Sequence, residues 1–130
     1  MKVAITSSGP TLDSQVDPRF GRAQYLLIVN TETLDVEAVR NPNVAAGGGA
    51  GVQAAQAVVS KGAEAVLTGN CGPNAFRTLE AAGVKVYAGV TGTVRAAVEA
   101  LSQGQFGPLA GPSVPGHFGT GQDDPGRGAP

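Results

Sequence analysis

The chain has 130 residues, nine basic and ten acidic side chains that leave a formal net charge of -1, and only four Phe and two Tyr as aromatics. That length suits one hydrophobic core, and the balanced charge and lack of Trp exclude a nucleic-acid binder working by bulk positive charge or by stacking platforms. Glycine is abundant at 20 residues, and seven of them fall after residue 106 among five prolines, so 107–130 is expected to be a disordered tail and 1–106 the folded domain.

The first residues hold too short an apolar run for a signal peptide, and no stretch approaches the roughly 18 apolar residues of a membrane span. One cysteine, Cys71, cannot form an internal disulfide. A cytoplasmic protein with neither membrane nor nucleic acid as partner is the expectation.

Along the chain, Lys2 to Ser7 reads as a buried strand stopped by Ser8-Gly9-Pro10. Tyr25 to Asn30 is a second, and 34–40 a third that follows closely enough for an antiparallel hairpin. A helix over 50–61 presents Val52, Ala55, Val58 and Val59 on one face, with Gly62 as its C-terminal cap. A strand at 65–68 leads to a second helix that opens on Pro73, carries Phe76 and Leu79, and closes at Gly83. The last strand is 84–88, and Thr91 or Thr93 caps a third helix with Val94, Ala97, Val98 and Leu101 in register.

The order βββαβαβα predicts an α/β fold with a five-stranded mixed sheet, strands 3-2-1-4-5, flanked by helices: the ribonuclease-H-like topology. A flavodoxin-like sheet competes, but it needs a helix between the first two strands. In the favoured arrangement strands one, three, four and five end at one edge, where loops 7–10, 46–51, 69–73 and 89–93 converge. Three of those loops run into helix N-termini, whose unpaired N–H groups and dipoles favour anions. The candidate binding residues there are Gly48, Gly49, Asn70, Cys71, Gly72, Thr91 and Gly92, with Arg19 and Arg22 entering from the segment before strand two.

Each of these has a plainer reading. The glycine cluster lacks the Gly-Lys-Ser/Thr of a phosphate loop and can be a linker. Arg19 and Arg22 can pair with Asp13 or Asp17. Cys71 can be a small buried hydrophobe, or its position before a helix can lower its pKa towards thiolate. Strands one and four carry no carboxylates for a two-metal nuclease, and the one histidine, His117, lies in the tail, which leaves no multi-cysteine cradle and no hydrolase triad. No enzymatic activity is expected.

Val16-Asp17-Pro18-Arg19-Phe20-Gly21-Arg22-Ala23, Thr68-Gly69-Asn70-Cys71-Gly72-Pro73-Asn74-Ala75-Phe76 and Gly89-Val90-Thr91-Gly92-Thr93-Val94, in that order, resemble the dinitrogenase iron-molybdenum cofactor biosynthesis family. That family takes in NifX-type carriers, NafY-type cofactor-binding domains, NifB-type C-terminal domains and the orange protein. The resemblance implies a ribonuclease-H-like fold and a non-catalytic carrier of an anionic metal–sulfur cluster or its precursor. The cluster is a molybdenum-containing sulfide of molybdenum–copper or iron–molybdenum type. It also implies that Phe20 gives apolar contact beside Arg19 and Arg22. Relatives often carry a histidine near 44–51 and this chain has none, so Cys71 is left as the metal ligand of choice and the orange-protein branch fits best. The alternative is a regulatory or scaffold module whose partner is a protein, such as a cluster-assembly ATPase or an acceptor.

Overall fold

The computed structural model describes residues 1–41 and 50–107. Five strands, β1 (Lys2–Ser7), β2 (Tyr25–Asn30), β3 (Val36–Arg40), β4 (Ala65–Leu67) and β5 (Lys85–Tyr87), form one sheet in the order β3-β2-β1-β4-β5. Three helices accompany them: α1 (Ala50–Ser60), α2 (Pro73–Ala81) and α3 (Val94–Ser102). β2 runs antiparallel to both neighbours, pairing Val3 with Val29 and Leu27 with Ala38, whereas β1, β4 and β5 are parallel. This is the ribonuclease-H-like arrangement expected from element order.

Both faces of the central strands are covered, which is why their sequences are continuously apolar rather than alternating. Ala4, Leu26, Ile28, Val66 and Val86 face α1 and α2, joined by Ala54, Ala55, Val58, Phe76 and Leu79. Val3, Ile5, Leu27, Val29, Ala65 and Leu67 face the other way, onto Val94, Ala97 and Val98 of α3. Phe106 packs on Tyr87 with ring centroids 6.4 Å apart, extending the second core to the end of the predicted domain. The remainder of the expected tail, 108–130, lies outside the described residues.

Two expectations about local structure are corrected. β3 begins at Val36, not at residue 34, because Leu34 adopts φ 64° inside the turn. Asn30 Oδ1 accepts from the N–H groups of Glu32 (2.8 Å) and Thr33 (3.1 Å), and the Leu34 N–H donates to the Asn30 carbonyl at 2.7 Å, closing the hairpin before the strand can start. On α1 the buried residues are Ala50, Ala54, Ala55 and Val58, while Val59 is 39% exposed and Val52 half-buried. The small alanines lie inward because α1 packs closely against α2, and the branched Val59 is left on the outer surface.

Thr93 is the cap of α3: its side chain accepts from Ala96 N–H at 3.1 Å. Thr93→Ala is expected to cost about 1 kcal/mol, a fall in Tm of roughly 4–8 °C for a domain of this size, read by thermal denaturation.

Candidate functional site

The long β1–β2 loop, residues 8–24, folds over the edge where β1, β3, β4 and β5 end. Its attachments decide which helix starts stay open. Thr6 Oγ1, inside the sheet, donates to the Asp17 carbonyl at 2.6 Å and lies 2.8 Å from Thr68 Oγ1, so two buried hydroxyls satisfy each other beneath the loop. Further on, Asn70 N–H donates to the Pro18 carbonyl at 2.7 Å, and Phe20 N–H to the Asn70 carbonyl at 3.2 Å. Glycine is required where backbones meet: a Cβ on Gly69 would lie 2.5 Å from Pro18 Cα, and one on Gly21, at φ 95°, would lie 2.8 Å from Gly51 Cα.

The start of α3 is closed by the same loop. Val94 N–H donates to the Ser14 carbonyl (2.9 Å), Arg95 N–H to the Leu12 carbonyl (2.8 Å) and Ala96 N–H to Thr93 Oγ1, while the Gly92 carbonyl accepts from Val16 N–H at 2.8 Å. The unpaired donors expected after 89–93 are therefore already used, and Thr91 and Gly92 stand exposed away from the pocket described next.

The start of α2 is open. Gly72 caps it without a side-chain hydrogen bond, Pro73 has no N–H, and the first helical bond is Phe76 N–H to the Gly72 carbonyl at 2.9 Å. The Asn74 and Ala75 N–H groups are left without a partner among the described residues. The first turn of α1 stands beside them, with Gly51 against Ala75. Together with Phe20 these segments enclose an open pocket of about 180 Å³, lined by Phe20, Gly51, Val52, Gly72, Pro73, Asn74 and Ala75. No carboxylate lines it. Of the candidate residues, Phe20 and Gly72 line this pocket; Asn74 and Ala75, not among the candidates, line it too, and Pro73 followed by two residues with free N–H groups is the sequence signal for them. Gly48 and Gly49 lie outside the described residues.

Cys71 lies behind this pocket, not in it. It is fully buried in the core that holds Phe20, Ala75 and Phe76, with Sγ 3.8 Å from the Gly72 carbonyl. Burial pushes the thiol up from 9.0 to about 11. This corrects the thiolate expectation: desolvation outweighs the helix dipole because the side chain is buried in the core between the sheet and helices α1 and α2.

The arginines divide. Asp17, buried, accepts from Arg19 N–H (2.9 Å) and Nε (3.2 Å) through Oδ1 and from Nη2 (3.2 Å) through Oδ2. Those hydrogen bonds, and then the charge of Asp17, raise the Arg19 pKa, and the pair is locally neutral. Arg95 pairs with Asp13 at 3.3 Å. Arg22 is exposed, with no side-chain partner among the described residues. Arg40 lies over the Tyr25 ring, 5.9 Å from its centroid, and Arg77 donates to Asn74 Oδ1 at 2.6 Å.

Placed on the fold, the charges segregate. Arg19, Arg22, Arg40, Arg77 and Arg95 all lie at the edge where the parallel strands end, facing only Asp13 and Asp17. Lys2, Lys61 and Lys85 lie at the far edge or towards it, with Glu32, Asp35, Glu37, Glu64, Glu80 and Glu99. A near-neutral domain thus carries a net excess of three positive side chains at one end and three negative at the other. Among the described residues no three His, Cys, Asp or Glu side chains gather to hold a metal ion, and no helix is long and apolar enough to cross a membrane.

The five-stranded mixed sheet in this order, flanked by helices, makes the chain a ribonuclease-H-like α/β domain, with an open pocket between the starts of α1 and α2. More specifically, the chain belongs to the dinitrogenase iron-molybdenum cofactor family, whose sequence profile matches residues 1–104. Its structure is similar to that of the apo orange protein from Desulfovibrio gigas, at 44% identity and a TM-score of 0.84 over 87% of this chain and 96% of that one. It is also similar to a candidate NifB protein from Thermotoga, at 47% identity and a TM-score of 0.73 over 83% and 92% of the two chains. An uncharacterised protein of Methanocaldococcus jannaschii is 25% identical over 109 residues, 82% of this chain and 89% of that protein.

Proposed function

We propose that this protein binds and carries an anionic metal–sulfur cluster, or its precursor, at the arginine-bordered edge, without catalysing a reaction. The segregated charge carries this reading: five arginines gather at the sheet edge that also holds a pocket with an apolar wall, N–H donors unpartnered among the described residues and no carboxylate in its described lining. Membership of an iron-molybdenum cofactor family and the likeness to the orange protein make a molybdenum-containing sulfide the cargo of choice.

The donor set suits such a cargo. Sulfides bridging metals carry diffuse negative charge, which backbone N–H groups, guanidinium groups and the positive end of α2 stabilise, and Phe20 meets their soft surface. Phe20 and Gly72 line the pocket; Arg19, Arg22 and Asn70 are the further contacts we propose for the cargo, and Gly48 and Gly49, also candidates, lie outside the described residues. Cys71, protonated and buried behind the wall, supports the pocket and becomes a metal ligand only if the core around it opens. This favours the molybdenum–copper type, held largely by hydrogen bonds, over a cluster that demands covalent protein ligands. Many weak donors also release their cargo readily, as a carrier does when it meets an acceptor protein or a cluster-assembly ATPase in the cytoplasm.

Anaerobic incubation with tetrathiomolybdate and copper(I), and in parallel with isolated iron-molybdenum cofactor, tests the reading. Stoichiometric metal uptake with a protein-bound visible absorption band is expected for one of them. Failure to take up either overturns the carrier role.

A further inference from the structure

Asn74 and Arg77 lie one helical turn apart at the start of α2, both exposed, and their contact is short: Arg77 Nη2 to Asn74 Oδ1, 2.6 Å. A guanidinium has donors and no acceptor, so the amide atom that faces it must be the oxygen. Two consequences follow for the pocket, which Asn74 lines. The one group on Asn74 that would repel an anion is already engaged, and Nδ2 is left as a donor with no partner among the described residues. Arg77 itself keeps its remaining N–H groups and its charge beside Asn74, one residue of the pocket lining. Arg19 differs, because the buried Asp17 consumes its Nε and one Nη.

We propose that Asn74 and Arg77 act together as the selectivity arm of this site: Arg77 supplies uncompensated positive charge and orients the Asn74 amide so that Nδ2 donates to an anionic sulfide or oxo ligand. The inference rests on the cargo reading above and deepens it, naming side chains that the sequence pattern Pro73-Asn74-Ala75-Phe76-Arg77 did not bring forward. A helix surface contact serving stability alone would give the same distance but would not make anion affinity depend on the orientation of the amide.

Tetrathiomolybdate binding, measured anaerobically by equilibrium dialysis and visible absorption on the full chain, separates the two. Asn74→Asp replaces the donor with a carboxylate and is expected to weaken binding at least about tenfold, as is Arg77→Gln, which frees the amide and removes the charge. Arg77→Lys restores the charge without the planar fork and is expected to fall between Arg77→Gln and the unaltered protein. Lys85→Gln removes the same unit of charge at the far edge and is expected to stay within about twofold, since exposed charges that distant are screened. Thermal unfolding serves as the control. An acidic residue in the first turn favours the helix, so Asn74→Asp is expected to unfold no earlier than the unaltered protein, and lost binding cannot be lost folding. Arg77→Gln binding as well as Lys85→Gln, in a protein whose unaltered form binds, overturns the selectivity arm and leaves the carrier reading intact. No binding by the unaltered protein overturns both.

Discussion

Gly69→Ala is expected to lower folding stability by about 2–4 kcal/mol, through overpacking and lost hydrogen bonds at the β4–α2 loop. The added methyl would sit 2.5 Å from Pro18 Cα, 2.7 Å from its Cβ and 2.8 Å from its carbonyl oxygen. None of these is the movable end of a side chain. The loop must withdraw, and the Asn70 N–H bond to Pro18 (2.7 Å) and the Phe20 N–H bond to Asn70 (3.2 Å) are strained with it. Urea denaturation checks the effect as a lower midpoint at unchanged slope. Gly62→Ala is the comparison: it also alters a glycine, at φ 77°, but with nothing within 4 Å. It should cost less, since only backbone preference is offended. Equal losses would show that the approach of Gly69 to Pro18 matters little.

The second large effect is on pH dependence. Cys71 is buried in its neutral form and its pKa rises from 9.0 to about 11 on folding. Because the folded pKa is the higher, the native state holds the thiol proton over a range in which the unfolded chain has lost it. The stabilisation is fully present below the unfolded pKa and is lost as pH rises through the folded one. A shift of that size corresponds to roughly 2–3 kcal/mol, lost across the window from pH 9 to about 11. Cys71→Ala lacks this contribution, so the stability difference between the two proteins should narrow or reverse with rising pH, while the titration of tyrosines and lysines common to both cancels. Parallel stability curves would show that the thiol is hydrated in the native state. A native protein that reacts with a thiol reagent near neutral pH as fast as an unfolded one would show the same.

Much of the architecture was legible before any coordinates. The unbroken apolar runs in β1 and β2 announced strands covered on both faces, the short 31–33 connection announced a hairpin, and two later strand–helix units left few places in the sheet for β4 and β5. Pro73 marks one helix start by its chemistry, and Thr91 or Thr93 marks another, of which the structure uses Thr93. The departures at Cys71 and at the start of α3 share a physical origin, namely contacts between segments far apart in the chain. Cys71 has the local setting of a reactive thiol, and only the assembled core, to which residues as distant as Ala4, Phe20 and Leu26 contribute, makes it a buried residue. The start of α3 has the local setting of an anion site, yet Leu12 and Ser14 supply carbonyls that close it. No periodicity describes the path of an 8–24 loop. Leu34 departs for a local reason: the short 31–33 connection suggests a strand from residue 34, whereas Asn30, through its side-chain oxygen, extends the turn to it. Arg77 is a different case: its spacing from Asn74 was visible, but an arginine on a helix surface is ordinary until its partner is known to line a pocket.

The separation of arginines from lysines has a practical side. Every primary amine of the described residues, the Met1 terminus with Lys2, Lys61 and Lys85, lies away from the pocket edge, and the cationic groups near the pocket are guanidiniums. Reagents that acylate amines should therefore attach the protein to a sensor surface, or to a fluorescent label, by its far end. The pocket would then face the solution with its chemistry unmodified.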